Sequence, residues 1–172
     1  MTRTLLTIAS ILVFGALTSC VEPTKKYASK DGKYSAAFPA APKETTAEIS
    51  APPPLGNTKQ FIASLDVKAD LTFMVIYNDY PEVVTMAVPQ KVLSLVRDGS
   101  KGPAGKVVSD GEIADANPPA REYVLERDGT YFRAHTKLAG TRLYQIIVVG
   151  RKLEDVTSKP ADAFIQSFEI AK

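Results

Sequence analysis

The stretch AREYVLERDGTYFRAHTKLAGTRLYQIIVV, residues 120–149, decides the fold. Asp128-Gly129 stands between two alternating segments, the strongest short-range signal of a two-residue β-hairpin. Ala139-Gly140 repeats the pattern before a third segment, so the stretch predicts an antiparallel meander. Side chains alternate between faces, so the turns also fix which residues meet. A turn at Asp128-Gly129 sets Glu122 opposite His135, Val124 opposite Arg133 and Glu126 opposite Tyr131. A turn at Ala139-Gly140 sets Tyr144 opposite His135 from the other side.

Upstream of the meander the chain is also strand-rich. Segments 33–38, 44–49, 59–67, 71–77 and 106–113 have strand patterning, and Ala51-Pro-Pro-Pro-Leu-Gly-Asn57 reads as a loop because proline cannot donate to a ladder. Leu71 to Tyr77 (LTFMVIY) is apolar on both faces, as a covered central strand would be. Two helices interrupt this pattern. Val88, Val92, Leu95 and Val96 recur at helical spacing, with Pro89 suited to the first turn and Asp98-Gly99 to the end. Ala161, Phe164, Ile165 and Phe168 do the same behind Pro160, and Phe168-Glu-Ile170 can return to a sheet edge. The expected fold is α+β: an antiparallel sheet of about six to eight strands, including the C-terminal meander, with two main helices packed on it. Phe73, Val75, Val92, Leu125, Phe132, Ile147, Phe164 and Phe168 are its expected core.

The amino terminus concerns location. A basic start (Arg3), an apolar run from Leu5 to Ala16 and a small-residue ending describe a secretory signal peptide. The run is too short to span hydrocarbon, which takes about 17–25 apolar residues. Leu17-Thr18-Ser19-Cys20 resembles the lipobox of bacterial lipoproteins. That resemblance implies diacylglyceryl transfer to the Cys20 thiol, cleavage before it, and often acylation of the new amino terminus. The expected organisation is therefore a signal peptide over 1–19, a lipid-anchored tether over 20–30 and one domain over 31–172. The implied location is outside the cytoplasm, anchored to a bacterial membrane. Val21 rather than Asp after the Cys points to the outer membrane in envelopes that sort by that rule.

Composition narrows the function classes. Apolar residues make up 45% and charged residues 23%, as in an ordinary globular protein. Loss of the signal would lower the formal charge of +2 by one, leaving no field to attract nucleic acid. The basic residues of the meander are interleaved with Glu122 and Glu126, and a nucleic-acid partner is not expected. A single Cys forms no internal disulfide, and one His makes no His-based metal site, so no metal or cofactor is expected. No Gly-x-Ser-x-Gly elbow or phosphate loop is present.

Two constellations remain. Glu122, His135 and Tyr144 form either an acid/base group or a polar sheet surface with matched cross-strand charges. With no nucleophile beside them on a flat face, the second reading is preferred. Tyr77 and Tyr80, leading from the central strand toward the first helix, either line a ligand groove or pack the strand end beneath the helix.

Three stretches carry a resemblance to the PsbP/LpqN/DcrB-like superfamily of small exported or lipid-anchored domains. They are Asp31-Gly-Lys-Tyr-Ser-Ala-Ala-Phe38-Pro39-Ala-Ala-Pro42-Lys43, Pro119-Ala-Arg-Glu-Tyr-Val124 and Ala161-Asp-Ala-Phe-Ile-Gln-Ser-Phe168. The resemblance covers nearly all of residues 31–172. It implies an antiparallel sheet with helices against it and a role by binding, and it transfers no catalytic residues. The expected function is a non-enzymatic interaction or assembly module, with an envelope protein as partner and the membrane reached through Cys20. The alternative is a carrier of a small apolar ligand in a helix–sheet groove, and an enzyme built on Glu122, His135 and Tyr144 ranks third.

Overall fold

Residues 26–50, 57–83 and 87–171 are described by the structure, a computed structural model. The signal peptide, the lipobox and most of the proline loop lie outside them. Ten strands run through the described residues: β1 (Lys26–Ser29), β2 (Tyr34–Ala37), β3 (Lys43–Ser50), β4 (Asn57–Lys68), β5 (Leu71–Asp79), β6 (Lys106–Ile113), β7 (Ala120–Arg127), β8 (Thr130–Ala139), β9 (Arg142–Gly150) and β10 (Glu169–Ile170). Helix α1 (Pro89–Lys101) joins β5 to β6, and α2 (Leu153–Val156) and α3 (Lys159–Gln166) join β9 to β10. Strands β3-β4-β5-β9-β8-β7-β6 form one antiparallel sheet, and β1-β2-β10 form a smaller one. The α+β architecture expected from the sequence is therefore present, with the meander as β7-β8-β9.

The two hairpins of the meander differ. Arg127 pairs with Thr130 around Asp128 and Gly129, both at positive φ (52° and 69°). Asp-Gly suits that turn because Asp tolerates, and Gly favours, the left-handed region. The second turn is Gly140-Thr141, one residue later than expected, since Ala139 pairs with Arg142. Gly140 takes φ 63° at the first turn position, where a primed turn needs glycine. This single step moves Tyr144 opposite Lys137 and leaves His135 opposite Ile146.

Alternation divides the large sheet into two faces. Phe73, Val75 and Tyr77 of β5, with Tyr144, Ile146 and Val148 of β9, point to one face and pack against Tyr34, Phe38, Val156, Phe164, Ile165 and Phe168. The small sheet, α2 and α3 thus cover this face. Phe164 stacks on Phe73 with ring centroids 4.6 Å apart and meets Phe38 edge-on at 4.9 Å. The opposite face carries α1, where Leu93 packs on Leu138 and Leu143.

Several expectations are corrected here. Lys26–Ser29, read as part of the tether, is a strand paired with β2. In α1 the buried residue is Leu93, with Val92 and Val96 beside it, whereas Leu95 and Val88 are 65% and 67% exposed. Val88 is the residue before the helix, at φ −62° and ψ 120°, so it does not share the helical period. The helix also continues past Gly99 to Lys101, ending where Gly102 adopts φ 63°. Of the expected core, Phe73, Val75, Leu125, Phe164 and Phe168 are buried, while Val92, Phe132 and Ile147 are only half-buried. Phe132 and Ile147 lie on the face that α1 covers and Val92 on α1 itself, and one helix shields less of a sheet than a second layer does.

Candidate functional site

Glu122 and His135 meet as the first hairpin register requires, with His135 Nδ1 3.3 Å from Glu122 Oε2. Their setting is not a solvated surface. Arg133, two residues from His135 on the same strand face, donates from Nε to Glu122 at 2.9 Å and from Nη1 to Asp162 of α3 at 2.6 Å. It also donates to the Val156 carbonyl, so α2 and α3 close over the group. The His135 side chain is 15% exposed, and its Nε2 is buried without a hydrogen-bond partner. Glu122 is held below the usual carboxylate range, first by its hydrogen bond with His135 and then by Arg133, against the opposing effect of burial. Arg133 and His135 are the sheltered members of this group, while the Glu122 and Asp162 side chains stay 35% and 43% exposed.

Tyr144 does not join this group. Its ring is 2% exposed in the main core and its hydroxyl donates to the Gly32 carbonyl at 2.8 Å. It ties β9 to the turn that starts β2. A second ion cluster sits on the opposite face, where Arg121 grips both oxygens of Asp110 at 2.7 and 2.6 Å and Arg97 of α1 reaches the same carboxylate. Among the described residues, no group of three or more His, Cys, Asp or Glu is arranged to hold a metal ion.

Tyr77 and Tyr80 are likewise separated. Tyr80 packs beneath α1 with Leu93, Leu138 and Leu143, so apolar side chains fill the helix–sheet junction. Tyr77 points to the other face, 5% exposed, where it stacks on Phe61 at 4.7 Å. Here it lines a cleft of about 250 Å³ between the small sheet and strands β3–β5. Tyr27, Tyr34, Phe61, Asp31 and Glu44 form its other walls, and the Tyr27 hydroxyl donates to Glu44. The sequence reading missed these residues because it placed Tyr27 in the tether. Phe61 meets Tyr77 because an irregularity between Asp66 and Lys68 shifts the β4–β5 register by one residue from the one the Lys68–Leu71 turn alone would set.

On the α1 face, β4, β5 and β9 present Ile62, Met74, Ile76, Ile147 and Val149, all half-buried. Helix α1 lies over β6, β7 and β8 instead. Among the described residues this leaves an apolar band beside the helix.

No family model matches the chain, and no curated protein does. Among solved structures, the chain is similar to the solution structure of cyanobacterial PsbP (CyanoP) from Synechocystis sp. PCC 6803. The TM-score is 0.54 over 95% of this chain and 98% of that one, at 14% sequence identity. The fold is PsbP-like. At that identity the likeness carries the architecture and not the chemistry.

Proposed function

We propose that this chain is a lipid-anchored cell-envelope protein, tethered through Cys20, whose domain acts without catalysis by docking a partner protein. The observation that carries this reading is the apolar band of Ile62, Met74, Ile76 and Ile147 beside α1. Apolar side chains that stay half-buried beside a helix, among the described residues, offer surface that a partner can cover. Of the residues an acid/base enzyme would need, Glu122 and His135 are held together with Arg133, which also bonds Asp162 of α3, while the Tyr144 hydroxyl is turned away to the Gly32 carbonyl. Strand β1 begins six residues after Cys20, and so short a segment reaches at most about 20 Å. The domain would work close to the bilayer.

The test places a photoreactive residue at Met74 in membranes from the native host. The expected result is a discrete adduct that Ile76→Lys abolishes without lowering the melting temperature, while a probe at Glu48 on the edge strand gives none. An adduct pattern indifferent to Ile76→Lys would overturn the reading.

A further inference from the structure

The cleft between the two sheets has a chemistry of its own. Its charged lining residues are Asp31 and Glu44, both acidic; Tyr27, Tyr34, Phe61 and Tyr77 supply aromatic walls, and hydroxyl-bearing and small aliphatic side chains, Ile62 and Ala63 among them, complete the lining. These rings already attract cations. Lys59 Nζ lies 5.2 Å from the Phe61 centroid and the Arg142 guanidinium 4.8 Å from that of Tyr77. Arg142 is committed elsewhere, with two hydrogen bonds of 2.6 Å to Asp79 and one of 2.8 Å to the Asp31 carbonyl. None of these bonds goes to the side-chain carboxylate of Asp31 or Glu44.

We infer that this cleft binds a small organic cation, an ammonium group on a compact body, between the aromatic walls and the carboxylates of Asp31 and Glu44. Ring faces attract cations through their quadrupoles, and aromatic walls are the established means of holding alkylated ammonium groups. An anion would meet two carboxylates and no lining Lys or Arg. The Tyr27 hydroxyl stays a neutral donor, because burial and its hydrogen bond to Glu44 push its pKa up to about 12. A cleft of about 250 Å³ falls below the 300–1,000 Å³ of drug-sized sites, so it suits a headgroup or a free amine rather than a larger metabolite. Both sources share one chemistry. This inference stands on the cleft and does not depend on the docking band or on acylation of Cys20.

The test titrates choline into the isotope-labelled full chain in a sugar-headed detergent, followed by amide NMR. The comparison compound is choline's neutral isostere, with carbon in place of the ammonium nitrogen. Choline should shift the amides of residues 27–34, 44–46 and 61–63, and the isostere should not. Glu44→Gln and, independently, Asp31→Asn should each weaken binding about tenfold, as removal of one nearby partly screened carboxylate implies. Nanodiscs of phosphatidylcholine and of phosphatidylglycerol identify the source. Cleft shifts with the first and not the second assign a lipid headgroup, while shifts with free choline alone assign a soluble amine. Equal response to the neutral isostere, or no response to either form of choline, would overturn the inference.

Discussion

Asp110 receives both nitrogens of the Arg121 fork and a further contact from Arg97, and these hold its carboxyl below the ordinary 3.8. A depressed folded-state pKa stabilises the fold fully above the unfolded value, and that contribution fades as pH falls through the folded one. Thermal melts should therefore drop below about pH 4, and Asp110→Asn should flatten that acid limb while lowering the melting temperature at neutral pH. Asn78 makes a different case, because it is fully buried with neither side-chain polar atom paired among the described residues. Asn78→Leu removes two unsatisfied groups at similar size, so a urea titration should give a gain of about 1–3 kcal/mol. A loss would mean that Asn78 has a partner. At this scale the sequence was partly legible. Glu122 and His135 could be paired because Asp128-Gly129 admits one register. The corner they occupy could not be read, because Asp162 and the Val156 carbonyl come from elements far along the chain.

The elements were more legible than their packing. Strand positions follow from alternation and turn residues, whereas which helical face goes inward depends on where the helix starts. Val88, Val92, Leu95 and Val96 make a plausible apolar stripe, yet the helix begins at Pro89 and turns Leu93 onto Leu138 and Leu143. This has a direct consequence. Leu93→Ala should cost about 2–5 kcal/mol, as for other buried leucines. Leu95→Ala should stay within about 0.5 kcal/mol, as for an exposed position. Equal effects in denaturant titrations would mean that α1 sits differently on the sheet. In α3, Ser158 caps the helix and Phe164, 1% exposed, fills the space between Phe73 and Phe38. Phe164→Ala should cost about 3–5 kcal/mol, and a loss below about 1 kcal/mol would mean that α3 is not docked.

Among the described residues, a small sheet with α2 and α3 stacks on one face of the large sheet and α1 on the other. The class of fold was readable because hairpin chemistry is local. The two-sheet layering was hidden, because β1 is polar, four residues long and recognisable only through its pairing with β2. The same layering creates the Asp31–Glu44 cleft and, among the described residues, leaves the Met74–Ile76 band half-buried. Both would lie near a bilayer if Cys20 is the anchor, since thiol acylation supplies two chains and each buried CH₂ adds about 0.8 kcal/mol. The proposed role as a lipid-anchored docking module therefore turns on that residue. Intact-mass spectrometry of the protein extracted from its native membrane tests it most directly. The account predicts a chain beginning at Cys20 and carrying a diacylglyceryl mass gain that Cys20→Ser abolishes. A mature chain with a bare Cys20 thiol would contradict it.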